Sequence, residues 1–277
     1  MKSVSVDGVR LEVFDEGAGP PLLLVHGFPL DHTMWQAQIE HFTPRFRVIA
    51  PDLRGCGGSD VTTGTVSMER FADDLSAILG QLQITEPVVY CGLSMGGYIA
   101  WQFWRKYPEK LRALVLCDTK AAADTPEGVT SRMKMLEHVL RAGTSYLAEA
   151  MLPRLFAPES FERRPEVVAA VRERILAAPP EGVAATLRGI AAREDFQSRL
   201  SQVRVPTLVV CGEHDAISPP DEMRQVAAAL PDVQFELIPG AGHLAPLENS
   251  EAVNAVIDEF LTARVSSESR AAREMPG

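Results

Sequence analysis

Short apolar runs alternate along the chain with longer stretches whose apolar residues recur every three or four positions. Leu22-Leu23-Leu24-Val25 is apolar on both faces, as a strand covered on two sides must be, and the turn Gly17-Ala18-Gly19-Pro20 leads into it. Residues 9–15 precede it as an outer strand. His26-Gly27 ends the buried strand, Thr33 and Gln36 have capping-box spacing ahead of a short helix, and residues 46–50 form the next strand before Pro51-Asp52. From Ser67 onward Phe71, Leu75, Ile78, Leu79 and Leu82 share one helical face, and an apolar strand follows at 87–91. The same reading gives a helix at 95–107, strands at 111–117, 207–211 and 233–238, and a helix at 219–230 with prolines in its first turn. Val253, Val256, Ile257, Phe260 and Leu261 mark a closing helix. This rhythm specifies an α/β fold, a mostly parallel central sheet with helices on both faces and ligand chemistry at the carboxyl ends of strands.

Between 122 and 204 the rhythm stops. The segment holds only helix-prone stretches such as 131–141 and 166–177, punctuated by Pro153, Pro158, Pro165 and Pro179-Pro180, and reads as an inserted helical cap. It divides the core into 1–121 and 205–264, and the polar, aperiodic residues 265–277 read as a disordered tail. Within the cap, Met133, Leu136, Val139 and Leu140, then Leu147, Met151, Leu152, Leu155 and Phe156, stand at helix-compatible spacing. Most must pack inward, but methionines facing the carboxyl edge would line an adaptable apolar pocket for small or medium acyl groups.

At 277 residues and 46% hydrophobic content, one large core can form. The net charge of -10 argues against nucleic-acid or anionic-membrane partners, which attract basic surfaces. The cap, with 12 basic and 11 acidic residues, is nearly neutral, so the rest of the chain carries the negative charge. No run approaches the roughly 20 apolar residues that span a bilayer, and the opening residues lack a basic segment followed by an apolar one, so a cytoplasmic protein is expected. Cys56, Cys91, Cys117 and Cys211 are scattered without metal or redox spacing and read as reduced thiols; the last three each end an apolar run.

Gly92-Leu93-Ser94-Met95-Gly96-Gly97 carries the strongest chemical signal, because its G-x-S-x-G pattern lies between a strand and a helix. There the serine is forced into a tight turn with its hydroxyl held out, and the following helix turns its positive dipole end toward it. A serine needs a base to become nucleophilic, and the base needs an acid to fix its tautomer. His243, in Pro239-Gly240-Ala241-Gly242-His243, follows a strand at the catalytic edge. His26 orders its own loop, His32, His41 and His138 read as solvated, and His214 points away. Asp215, after the strand at 207–211, is the favoured acid; Asp118, ending the strand before the cap, competes with it. Asp52 reads as a structural acid bonding its own loop. Backbone N–H groups of Met95 and Phe28 are the expected oxyanion donors.

Taken together, the His26-Gly27-Phe28-Pro29 loop, the loop from Asp52 to Ser59, the elbow around Ser94, Gly212-Glu213-His214-Asp215, Gly240-Ala241-Gly242-His243 and the order Ser, Asp, His resemble the α/β-hydrolase fold family over nearly the whole chain. Within its serine hydrolase branch the sequence looks most like bacterial esterases, 3-oxoadipate enol-lactonases and cofactor-free haloperoxidases. Haloalkane dehalogenases and epoxide hydrolases of this fold carry aspartate where this chain has Ser94, which disfavours those activities. The resemblance implies an esterase or lactonase acting on a small-molecule substrate through an acyl-enzyme, without metal or organic cofactor. A carbon-carbon bond hydrolase with the same three residues, or a receptor-like protein with slow turnover, are the alternatives, and a homo-oligomer is compatible with either.

Overall fold

The computed structural model describes residues 1–265. Its strands are β1 (Lys2–Val6), β2 (Val9–Glu16), β3 (Pro21–Val25), β4 (Arg47–Pro51), β5 (Val88–Leu93), β6 (Leu111–Cys117), β7 (Thr207–Gly212) and β8 (Val233–Ile238). They form one sheet in the order β1-β2-β4-β3-β5-β6-β7-β8, antiparallel at β1–β2 and β2–β4 and parallel elsewhere. Parallel neighbours need crossovers, and helices supply them: α1 (Gln36–Phe42), α2 (Met68–Gln81) and α3 (Met95–Lys106) join β3 through β6. Five helices then intervene, α4 (Pro126–Ala142), α5 (Ser145–Leu155), α6 (Ser160–Arg163), α7 (Pro165–Ala177) and α8 (Pro180–Ala191). After β7 come α9 (Pro220–Ala229), β8, α10 (Ala245–Glu248) and α11 (Ser250–Phe260).

The alternation of side chains along each strand splits the core into two layers. Leu23, Val25, Ile49, Tyr90, Leu114, Leu116 and Val209 pack with Phe71 and Leu75 of α2, Ile99 and Phe103 of α3 and Met223 of α9. Their strand neighbours Leu22, Leu24, Val48, Val89, Val115, Leu208 and Val210 face α1 and α11 through Ile39, Phe42, Val253 and Ile257. Each such side chain contributes about 1.5–3 kcal/mol when fully buried, so slipping a strand by one residue exchanges two packed faces at large cost. Leu136, Val139, Leu147, Leu152 and Ile175 of the five helices between β6 and β7 join the second layer. The sheet and its two helical layers are the expected architecture.

Two local features differ from the sequence reading. β1 was not anticipated; it folds back on β2 through Asp7-Gly8, both at positive φ, the two-residue geometry that suits a hairpin. The helical start near Thr33 is a 3₁₀ turn, His32–Trp35, capped not by Thr33 but by Asp31, whose carboxylate accepts from the Thr33 N–H at 2.9 Å. Asp31 is the stronger acceptor and stands in extended backbone, and Gln36 bonds forward to Glu40 at 2.6 Å instead. All but the first residue of the expected tail lies outside the described residues. Among the described residues, no helix is long and apolar enough to cross a membrane, and all four cysteines are buried and free.

From β3 the chain crosses to β4 on one side, whereas β5 lies on the other. The carboxyl ends of β3 and β5 therefore form a topological switch point, where open α/β sheets bind ligands.

Candidate active site

Ser94 sits at that point, between β5 and α3, with φ 51° and ψ -108°. A non-glycine residue rarely adopts positive φ, and the surroundings hold it there. Its N–H donates to the Cys117 carbonyl at 2.9 Å, and its own carbonyl accepts from the Thr119 hydroxyl at 2.7 Å. Flanking glycines are a spatial necessity. A Cβ on Gly92 would lie 2.6 Å from Gly96 backbone atoms, and one on Gly96 would lie 2.3 Å from the Val25 carbonyl oxygen. The spacing of the motif thus lets α3 start against β3.

His243 Nε2 lies 2.9 Å from Ser94 Oγ, and its Nδ1 lies 2.9 Å from Asp215 Oδ2. The histidine is 2% and the aspartate 4% exposed, so the pair is shielded from water. Asp215 Oδ1 accepts from the N–H groups of Ile217 at 2.7 Å and Ser218 at 2.9 Å. Burial works against its ionisation, yet the imidazole beside it and these N–H donors hold the carboxyl below its ordinary pKa. An ionised Asp215 accepts a hydrogen bond from Nδ1–H, which fixes the tautomer whose Nε2 lone pair is directed at the serine.

Asp118 is not the partner of His243. It is fully buried, accepts from the Gly212 N–H at 2.7 Å through Oδ1, and leaves Oδ2 without a partner among the described residues. Burial, reinforced by the negative charge of Asp215, raises its pKa well above the usual carboxylate range and so favours its neutral form. Together Asp118, Cys211 and Asp215 bring three potential metal ligands within 4.8 Å. Burial pushes the pKa of both the Asp118 carboxyl and the Cys211 thiol upward, toward their protonated forms. The other such group, Asp31, His32 and Asp52, is taken up by internal hydrogen bonds.

The N–H groups of Phe28 and Met95 make no hydrogen bond among the described residues, and both residues border the same cavity as Ser94 and His243. That cavity has a volume of about 490 Å³. Met135 and Met151 line it beside Leu147, Leu187 and Ile190. Of the methionines singled out in the sequence, Met151 lines the cavity and Met133 does not; Met135 takes its place.

Supporting residues explain why these loops hold. His26 is buried, its Nδ1–H donating to the Gly27 carbonyl at 2.9 Å and its Nε2 accepting from Leu53 N–H at 3.0 Å, while burial lowers its pKa. A neutral imidazole therefore ties the Phe28 loop to the next. Asp52 accepts from Gly58 N–H at 2.8 Å, as expected of a structural acid. His32 differs from expectation: it is half-buried, with Nδ1 2.6 Å from Asp52. His41 meets Asp258 at the surface and His138 packs against Tyr146, while His214 stays exposed. Glu248 escaped the sequence reading altogether. Buried in α10, it accepts from Gly242 N–H at 2.8 Å, Ala157 N–H at 2.8 Å and the Ser160 hydroxyl at 2.6 Å, tying the His243 loop to the helical segment between β6 and β7. A glutamate five positions after the histidine, in an otherwise apolar stretch, was its only signal.

Known proteins share this arrangement of the chain. Residues 20–250 match the family model described as the alpha/beta hydrolase fold. A thermophilic esterase from Thermogutta terrifontis, solved with malate bound, superposes with a TM-score of 0.92 and 47% identity, covering 95% of this chain and 98% of that one. An enol-lactonase from Burkholderia xenovorans gives 0.88 and 28%, covering 94% and 100%. Among curated proteins, the AB hydrolase superfamily protein YisY of Bacillus subtilis is 33% identical over 91% of this chain and 95% of its own length. 3-Oxoadipate enol-lactonase 2 of Acinetobacter baylyi is 25% identical over 90% and 91%. A sheet with this strand order, a serine at its switch point and a family match across the core lead to one conclusion: the chain belongs to the alpha/beta hydrolase fold family, as a hydrolase with esterases and lactonases among its relatives.

Proposed function

We propose that this protein is a serine hydrolase that cleaves small to medium carboxylic esters or lactones through an acyl-enzyme. The observation that carries the reading is the unbroken line of contacts from Ser94 Oγ through His243 to Asp215, 2.9 Å at each step, at the edge of the cavity that Ser94 and His243 both line. His243 Nε2 takes the hydroxyl proton as Ser94 Oγ attacks the substrate carbonyl carbon. The carbonyl oxygen gains negative charge, and the free N–H groups of Phe28 and Met95 are the donors suited to receive it. Collapse of this tetrahedral species breaks the bond to the alcohol oxygen, which leaves with the proton held by His243. Water then repeats the sequence: His243 removes its proton, the hydroxide oxygen bonds to the acyl carbon, and Ser94 departs reprotonated with release of the acid. Asp215 holds the imidazole tautomer throughout and balances the charge on the transient imidazolium.

Activity on 4-nitrophenyl esters of increasing acyl length tests this. With a cavity of about 490 Å³ lined in part by α4 and α5, each methylene that fits contributes up to about 0.8 kcal/mol, so kcat/KM climbs through the short acyl groups and falls once the cavity is full. Ser94→Ala removes the activity by several orders of magnitude while preserving thermal stability. A monotonic rise to long acyl chains with activation at an oil-water interface contradicts a cavity of limited volume as the acyl site, and full activity in Ser94→Ala contradicts the nucleophile.

A further inference from the structure

The Phe28 N–H can receive an oxyanion only if its peptide plane is turned the right way, and the chain around Gly27 sets that plane. Gly27 and Phe28 are joined by a trans peptide, so the Gly27 carbonyl and the Phe28 N–H point in opposite directions. The carbonyl accepts from Leu30 N–H at 3.0 Å and from His26 Nδ1–H at 2.9 Å, and the N–H on the other edge is left free beside the cavity. The preceding peptide, His26–Gly27, has a different anchor. Its N–H, on buried Gly27, donates to Met34 Sδ at 3.5 Å, and the sulfur is its only partner among the described residues. Both peptide units that meet at the Gly27 Cα are therefore clamped, one through its carbonyl and one through its N–H. A glycine needs both. A Cβ at 27 would stand 2.9 Å from Leu93 Cδ2, and without one the torsions lack the restraint that a side chain supplies.

The carrier of the sulfur is itself fixed. Met34 lies in the 3₁₀ turn His32–Trp35, is 4% exposed, and donates its N–H to the Asp31 carbonyl at 3.2 Å. Asp31 caps that turn and accepts from Arg174 Nη1 of α7 at 2.8 Å, which ties the turn to the helices between β6 and β7. Packing alone does not call for sulfur here. Met34 shares an apolar layer with Trp35 and Ile39, where leucine would fill a similar volume. What leucine lacks is an acceptor, and a buried N–H left without one is costly.

Resting on the serine hydrolase reading and deepening it, we infer that Met34 is a positioning residue of the oxyanion hole, whose thioether sulfur clamps the Gly27 amide and so aims the Phe28 N–H at the substrate carbonyl oxygen.

Met34→Leu keeps the volume and removes the acceptor, while Met34→Gln restores an oxygen acceptor on a side chain of similar length. With 4-nitrophenyl butyrate, Met34→Leu should lower kcat about tenfold and leave KM within about twofold; removal of a whole oxyanion donor costs about a hundredfold or more, and here the N–H is misaligned, not deleted. A ketone pair separates positioning from packing. Ser94 Oγ bonds to the carbonyl carbon of 1,1,1-trifluoropentan-2-one, its proton passing to His243 and the carbonyl π electrons to the oxygen, which becomes the oxyanion. Its Ki should rise in Met34→Leu by the factor that kcat falls, whereas pentan-2-one, which stays trigonal, should inhibit as before. Met34→Gln should recover most of both losses. Wild-type kcat in Met34→Leu, equal weakening of the two ketones, or a folded Met34→Gln no better than Met34→Leu overturns the assignment. Hydrogen exchange at the Gly27 amide, read by NMR, follows the clamp without turnover: faster exchange in Met34→Leu is expected, and wild-type protection overturns the clamp. Unchanged exchange and turnover in Met34→Leu beside an inactive Ser94→Ala overturn this inference alone. An active Ser94→Ala overturns the serine hydrolase reading, and the oxyanion role with it.

Discussion

Asparagine at position 215 separates the two buried acids, and the structure sets the size of the effect. Asp215 Oδ1 accepts two backbone N–H bonds, from Ile217 and Ser218, while Oδ2 alone faces His243. In Asp215→Asn the amide oxygen must take the place of Oδ1. Turned over, the amide would aim its NH2 at both donors and leave two buried N–H groups unpaired, at about 1–3 kcal/mol each, to regain one bond at His243. With the NH2 facing Nδ1, the imidazole carries its proton on Nε2 and presents N–H to Ser94 Oγ, so the general base is lost. The expected cost is about four orders of magnitude in kcat, near 5.5 kcal/mol, with little change in fold. Asp118→Asn is the control. Its amide oxygen still accepts from Gly212, it replaces a carboxyl whose raised pKa favours the neutral form, and asparagine tolerates the φ of 48° found there. Turnover of a short 4-nitrophenyl ester should therefore fall less than tenfold. Thermal melts of both variants confirm folding. The reverse ranking, or an Asp215→Asn enzyme within tenfold of wild type, refutes the assignment of the acid.

Two further outcomes follow from the same geometry. Burial and the charge of Asp215 raise the Asp118 pKa, so the folded chain keeps a proton that the unfolded chain sheds above about pH 4. The group's contribution to stability is complete below that pH and declines as pH rises toward the raised folded value; Asp118→Asn should gain in Tm over wild type between pH 4 and 8 and show no gain near pH 4, and a gain independent of pH contradicts an elevated pKa. At the elbow, Gly96→Ala places a methyl 2.3 Å from the Val25 carbonyl oxygen, which only backbone movement can relieve. About 1–3 kcal/mol in urea denaturation and at least about tenfold in kcat/KM should be lost, and wild-type values for both would show that the close approach is dispensable.

Much of this was legible from periodicity and turn residues. Runs such as Leu22-Leu23-Leu24-Val25 are apolar on both faces because two helical layers cover the sheet, and that pattern survives in sequence without any partner being known. G-x-S-x-G was readable because each glycine answers a contact within a few residues of chain or one strand away. Features that depend on distant partners were hidden. Glu248 matters through Ala157 and Ser160, some ninety positions back, and no local pattern encodes that meeting. His32 looked like a surface histidine until the fold placed Asp52 beside it. The choice between Asp118 and Asp215 was open for the same reason, since both end strands and only the third dimension separates them. β1 is a different case: Asp7-Gly8 between two alternating segments is a hairpin signal present in the sequence and overlooked.

The most direct test of the central claim is covalent trapping. Diethyl 4-nitrophenyl phosphate, incubated with the full chain, should release one equivalent of 4-nitrophenol, abolish esterase activity, and leave a single diethylphosphoryl group that peptide mass spectrometry maps to Ser94. Ser94→Ala should take up no label, and His243→Ala should label far more slowly. A phosphoryl group on any other residue, or inactivation that proceeds unchanged in Ser94→Ala, contradicts Ser94 as the nucleophile.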